Sequence, residues 1–274
     1  MAIFVLFKLF DKFKINTLQA IVVNYFTAFT SGSLLYQGNI SIEILYTNWF
    51  FAAITLGFLF ISIFYVMALT AQRNGLSVVS VASKMSVIIP ILFGIFIYNE
   101  STGTLKVVGV ILALVAVYLT SIKQKGDTVL KQSLYLPTIL FFGSGIIDTS
   151  VNHFAPKNQM QLFLAIIFGI AGSIGVFILG YKSIKENQHF KLKSIPFGIA
   201  LGIANYSSVF FLLKALRVEG FESSSIFTIN NVIIVAFTTL IGLILFREKI
   251  SAKNWLGITT AILSIILVTL NDGN

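Results

Sequence analysis

The chain contains no cysteine, which removes disulfides, thiolate metal sites, iron–sulfur clusters and cysteine nucleophiles together. It has two imidazoles, His153 and His189, too few for a multi-histidine metal centre. Four prolines in 274 residues leave long stretches free to hold a helix. Charge is scarce too: 11% of residues are charged against 57% apolar, and mean hydropathy is +0.93. That balance leaves no room for a sizeable soluble domain and makes lipid the matching solvent. No glycine loop ending in Gly-Lys-Ser/Thr appears, which argues against an ATP-driven pump. The links also lack the paired His and Asp residues that a membrane-embedded enzyme acting on lipids would need. Nothing calls for a cofactor.

What the chain does have is apolar length. Stretches able to cross about 30 Å of hydrocarbon, roughly 20 helical residues each, lie near 17–37, 48–71, 77–98, 104–122, 136–155, 160–181, 195–216, 224–246 and 254–271. They do not alternate with period two, so strands are excluded. Ahead of them stands a tenth apolar fragment from Ala2 to Phe10, too short to span a bilayer alone and read as the end of a helix. A signal peptide is the competing reading, but Lys8 interrupts the run and no small-residue cleavage site follows.

Most of the net charge of +9 sits in short links, where anionic lipid headgroups are a simpler partner than nucleic acid. With the fragment counted as the first span, odd-numbered links carry thirteen Lys and Arg residues. Even-numbered links carry three, Lys106, Lys157 and Arg217. The excess of positive charge predicts a cytoplasmic location for the odd links and an outward location for both termini.

The chain also repeats itself. Leu56-Gly57 with Gly75 is matched by Leu201-Gly202 with Gly220, at an offset of 145 residues, and Ser62 is matched by Ser207. Gly94, Glu100 and Gly109 are matched by Gly242, Glu248 and Gly257, at an offset of 148. Two halves of five spans follow. An odd number of spans per half predicts that they insert with opposite orientation, an arrangement typical of secondary transporters.

The stretches "SVASKMSVIIPILFGIFIYNESTGTLKVVGVILALVAVYLT" and "INNVIIVAFTTLIGLILFREKISAKNWLGITTAILSIILV" resemble the two EamA-type repeats of the drug/metabolite transporter superfamily. In that family the fourth helix of each repeat ends in a glutamate, here Glu100 and Glu248, before a short link and a glycine-containing fifth helix. The resemblance covers essentially the whole chain. It implies an all-α integral membrane fold of ten helices in a 5+5 inverted repeat, with residues 1–122 as the first repeat and 134–271 as the second. The function implied is secondary active transport, as an exporter or exchanger of a small metabolite by alternating access, in a bacterial cytoplasmic (inner) membrane. Two departures stand out: the first helix is shortened, and Thr238 occupies the place that Pro90 holds in the first repeat.

A polar group inside a span needs a compensating reason, because a charge at the bilayer centre costs at least about 2.5 kcal/mol. The ionisable candidates are Lys8, Lys84, Asp148, His153 and Lys214. Lys84 lies about 10 Å inside its span at helical rise, on one face with Ser77 and Ser80. In the second half Ser224, Thr228 and Asn231 form a comparable stripe, and the pair Asn230-Asn231 is expected to face Lys84 across the pseudo-symmetry axis. Asp148 lies near the midplane, one turn from Ser144 and Asn152, as a proton-linked carboxylate or a counter-ion to Lys84; a structural ion pair is the plainer alternative. Asn24, with Thr27 and Ser31, either lines the cavity or ties helices together. Lys214 either binds solute or snorkels to the interface. Three lysines against one aspartate point to an amino acid or anionic organic solute as the cargo. A multidrug exporter of cations would want the opposite balance. The sequon Asn39-Ile40-Ser41 is weak evidence for glycosylation, and neither metal nor nucleic acid is expected as a partner.

Overall fold

The computed structural model describes residues 1–38, 42–98, 103–121, 130–186, 189–218, 223–247 and 251–272. Within them the chain is helical, with no strand among the described residues. The helices are α1 (Ala2–Lys12), α2 (Thr17–Leu35), α3 (Asn48–Asn74), α4 (Leu76–Met85), α5 (Ile88–Tyr98), α6 (Thr104–Ser121), α7 (Leu130–Phe154), α8 (Met160–Glu186), α9 (Ser194–Ala215), α10 (Ser223–Ile244) and α11 (Ala252–Asp272). A 3-10 turn at Ile42–Tyr46 precedes α3.

Local chemistry marks several boundaries. Asn16 caps α2, its side-chain oxygen accepting from the Gln19 amide at 3.2 Å. Gly75 ends α3 at φ 96°, a backbone region that a side chain would strain, and so lets α4 start at once. The repeat partner Gly220, together with Glu100, Glu248 and the Asn39 sequon, lies outside the described residues.

One expected span carries an internal break. The stretch 77–98 is two helices, α4 and α5, separated at Ser86 and Val87. Pro90 supplies the reason: it has no N–H to give the Ser86 carbonyl, and its ring crowds that carbonyl. The chain responds with a turn in which Ile89 donates to Ser86 O at 2.9 Å and the Ser86 hydroxyl donates to Ser83 O at 2.6 Å. In α10 the corresponding residue is Thr238, whose hydroxyl bonds back to Ile234 O inside an unbroken helix.

Six stretches among the described residues are long and apolar enough to cross a membrane: Thr17–Leu35, Asn48–Asn74, Leu76–Phe93, Leu134–Phe154, Met160–Glu186 and Ser194–Ala215. Their outer faces carry large exposed apolar side chains, Phe58, Phe142, Phe177 and Phe211 among them, a surface that water would not tolerate and hydrocarbon would. Hydroxyls on these faces are satisfied within their own helix, as Ser62 to Phe58 O and Thr30 to Phe26 O show.

Inside, α2 packs on α8 and α9, α3 on α7 and α8, α4 on α7 and α10, α1 on α3 and α9, and α6 along α11. Phe7, Phe10, Tyr25, Phe163 and Phe168 are fully buried in one apolar core. Small residues set the closest crossings. A Cβ on Gly57 would fall 2.5 Å from Ile170 Cγ2 and 3.3 Å from Ile167 O; one on Gly202 would fall 2.5 Å from Thr27 Cβ and 2.6 Å from Asn24 O. These are the same contact made twice, because Ile167 and Ile170 follow Asn24 and Thr27 by one common offset of 143 residues. Along α6 and α11 the Ser264 hydroxyl donates to Gly109 O at 2.6 Å.

Gly202→Ala should therefore destabilise the bundle by about 1–3 kcal/mol, since a backbone oxygen, unlike a side-chain tip, cannot swing away. Gly180→Ala on α8, where nothing lies within 4 Å of the added carbon, should be neutral or gain up to about 1 kcal/mol of helix propensity. Thermal melting of both variants in detergent checks the contrast.

Candidate functional site

The break after α4 places a charge and a polar backbone end in the middle of the bundle. Lys84 is the last residue but one of α4, and its carbonyl, released from regular helix bonding by the turn, accepts from Asn231 Nδ2 on α10 at 3.3 Å. Asn231 is 3% exposed and its Oδ1 lies 3.5 Å from Asn230 Nδ2. The turn leaves the Lys84 carbonyl only a long bond from the Val87 amide, at 3.4 Å, and Asn231 adds a second donor from a neighbouring helix, which a buried carbonyl in hydrocarbon favours.

Beside this joint lies a cavity of about 110 Å³, room for several waters or a small solute. Its polar side chains are Ser83 and Lys84 from α4, Ser144, Asp148 and Asn152 from α7, and Asn205 and Ser208 from α9, and Met1, whose amino group feels the charge of Lys84, lines it too. Lys84 and Asp148 both face it, and their opposite charges act on one another across it. Neither side chain is committed to a hydrogen bond or to an ion pair within 4.0 Å among the described residues. Ser144 is buried with its hydroxyl unpartnered. Asn205 gives its Nδ2 to Asn24 Oδ1 at 3.1 Å, which holds the amide in place and leaves its own Oδ1 as the uncommitted acceptor.

The cavity runs from mid-bundle toward one end. Asn152 and Ser208 are exposed, and Leu216, just past α9, belongs to the rim. At that end Arg217 ties α9 to the α7–α8 link, donating to Ala155 O at 3.0 Å, Pro156 O at 3.4 Å and Lys157 O at 3.1 Å. The opposite end is stitched more densely. Gln19 donates to His189 O at 3.0 Å and accepts from Lys191 N at 2.9 Å and Ser194 Oγ at 3.3 Å. Lys193 Nζ donates to Phe13 O at 3.1 Å, and Gln72 donates to Thr17 Oγ1 at 2.9 Å and Phe7 O at 3.4 Å.

Of the residues singled out from sequence, Lys84, Asp148 and Asn152 line this cavity and Asn231 abuts it through the Lys84 carbonyl. Asn230 lines a shallow neighbouring pocket with Ser207 and Ser208 instead. Asn24 is fully buried behind Asn205 rather than in the lining, so it acts as interhelix glue. Ser80 is fully buried and donates to Ser77 O at 3.0 Å; it does not reach the cavity. Lys214 is exposed on α9, as snorkelling predicts, and Lys8 donates to Ala71 O at 3.4 Å away from the lining. The side chain of Thr228 lies outside the described residues. Asn205, Ser83 and Ser208 were not picked out from sequence; the polar run Asn205-Tyr206-Ser207-Ser208 in an apolar helix was the available signal.

The fold defines an all-α integral membrane protein. No family model matches the chain. It is similar to a protein of Haemophilus influenzae described only as uncharacterized, 28% identical over 273 residues, which span 96% of this chain and 92% of that relative.

Removing the amide that serves the broken helix should weaken the joint. Asn231→Ala is expected to cost about 1 kcal/mol and to speed backbone hydrogen exchange around residues 85–89 selectively, read by mass spectrometry against the parent. Unchanged exchange there would show that the Val87 amide alone suffices for the Lys84 carbonyl.

Proposed function

We propose that the chain is a secondary active transporter of the EamA type, carrying a small metabolite, an amino acid or an organic anion, by alternating access between two inverted five-helix halves. The observation that carries this reading is the make-up of the cavity walls. Phe60, Ile63, Phe64 and Met67 of α3 line it on one side. Asn205, Ser208, Val209 and Leu212 of α9, each 145 positions further along, line it on the other. A site between two related halves near mid-bundle is what a transporter built from repeats requires.

Other features support the same reading. The helix pairs exchange under it: α2 on α9 matches α8 on α3, α3 on α7 matches α9 on α1, and α4 on α6 matches α10 on α11. The ties at the two ends also correspond, Gln72 standing 145 positions before Arg217. A discontinuous helix beside the site is a common transporter device, since irregular backbone is tolerated in a membrane where it borders a cavity. Access is then from the end bearing the α7–α8 and α9–α10 links. The lysine-rich end, inside the cytoplasm by the positive-inside rule, is the closed gate.

In this mechanism Lys84 binds an anionic group of the solute. Asp148, the carboxylate facing the same space, takes up or releases the coupling proton as access switches. Rocking of the halves would break the Gln19 and Lys193 ties, which join the two halves at one end, while the cavity closes at the other.

Lys84→Ala should abolish saturable flux in proteoliposomes, and Asp148→Asn should retain exchange while losing acceleration by a proton gradient. Flux of every transported anion at the parental rate in Lys84→Ala would remove Lys84 from the site. The absence of native cysteine permits a direct test of access. A lone cysteine from Asn152→Cys should react with an impermeant maleimide applied outside intact cells, and saturating solute should slow the reaction. Labelling from the cytoplasmic side alone would reverse the orientation.

A further inference from the structure

The two walls of the cavity occupy equivalent positions but differ in chemistry. Where α9 presents Asn205 and Ser208, α3 presents Phe60 and Ile63. Where α7 presents Asp148, α1 presents Phe4, 144 positions earlier, next to the apolar pair Ile3 and Ile147 at the same spacing. At each of these unequal positions the polar member belongs to the second half. The remaining polar groups, Ser83 and Lys84, come from α4, which packs against α7 and α10 and so joins the polar side. The cavity is thus polar on the α4, α7 and α9 side and apolar on the α1 and α3 side.

The charges narrow the solute further. Sequence alone counted three lysines against one aspartate, which favoured an amino acid or an anionic organic solute without choosing between them. With Lys8 bonded to Ala71 O and Lys214 exposed, one cationic and one anionic side chain remain, and both are uncommitted. The amino group of Met1 also lines the cavity, but burial and Lys84 lower its pKa to about 5, so it adds no charge there. A simple anion would pair with Lys84 and set its charge beside Asp148; a simple cation would do the reverse. Either leaves a like-charge contact and an uncompensated group in a low-dielectric space. A solute bearing both charges at one end completes both pairs.

Resting on the transport reading for its location but not on flux for its proof, we propose that the cavity takes a small dipolar solute of amino-acid chemistry. Its ammonium lies toward Asp148, its carboxylate toward Lys84, and its apolar side group against Phe4, Phe60 and Ile63. Phe60 and Ile63 are then the specificity-determining residues. Their repeat partners Asn205 and Ser208 hold the head group.

The test measures binding by calorimetry to the purified full chain in nanodiscs, with four probes. These are leucine; 4-methylpentanoate, which lacks the amine; 3-methylbutylamine, which lacks the carboxylate; and glycine, which lacks the apolar body. Leucine should bind, and each of the other three should bind at least about tenfold more weakly. Phe60→Asn, which places the second half's residue on the first half's wall, should reduce the preference of leucine over glycine about tenfold. Its melting temperature without ligand shows whether the variant is folded, and the four-probe series on the parent stands independently of it. Equal binding of 4-methylpentanoate and leucine would overturn the dipolar head, equal binding of glycine would overturn the apolar wall, and no binding of leucine would overturn both. The transport reading fails separately: leucine that binds with this selectivity but shows no saturable flux in proteoliposomes would leave the site standing and remove the carrier.

Discussion

A proline ring at position 90 cannot donate the backbone hydrogen bond that would carry α4 into α5, and much of the site's arrangement follows from that missing donor. In water the released carbonyls would be solvated at little cost; within hydrocarbon they must be served by protein or by a polar cavity. Ser86, Asn231 and the turn at 86–87 serve them. Lys84 stands two residues before the turn, so its charge is delivered beside the break rather than buried along a helix flank. The second half has Thr238 instead, keeps α10 continuous, and contributes an amide pair where the first half contributes an ammonium.

The same rule sorts the remaining polar side chains. Hydroxyls on lipid-facing surfaces bond the carbonyl one turn back in their own helix and cost the bundle nothing between helices. Amides cross between helices, as Asn24 with Asn205 and Gln19 with the α8–α9 link demonstrate. Lys84, Asp148 and the Ser144 hydroxyl, without internal partners among the described residues, face the cavity, whereas the equally unpartnered oxygens of Tyr25, Ser77, Tyr206 and Thr239 lie outside its lining. The meeting of two opposite charges in one cavity, rather than unpartnered polarity alone, marks the site.

Close approach of the helices depends on a few small residues. Gly57 of α3 against α8 and Gly202 of α9 against α2 make the same contact in two places, which accounts for glycines recurring at one spacing in an otherwise apolar sequence. Their role is to let α3 and α9 lie near enough to flank a common space. The lining then differs side by side, with Phe60 against Asn205 and Ile63 against Ser208. Related halves therefore produce an amphipathic cavity from a nearly symmetric frame.

The sequence by itself determined the solvent, the helical class and most span positions, because hydrophobic length and the absence of period-two alternation are local properties. It also revealed the recurring glycines and the depth of Lys84 and Asp148. Burial along a helix can be read from spacing, but the neighbour that a polar face meets cannot. For that reason Ser80, Lys214 and Asn24 stood as candidates beside Lys84, and Asn205 and Ser208 passed unnoticed. Only the tertiary structure decided that Ser80 bonds within its helix, that Lys214 reaches the surface, that Asn24 stands behind Asn205, and that one lysine and one aspartate share the cavity. Those outcomes depend on which helix packs against which, and the hydrogen bonds that settle them join residues up to 181 positions apart.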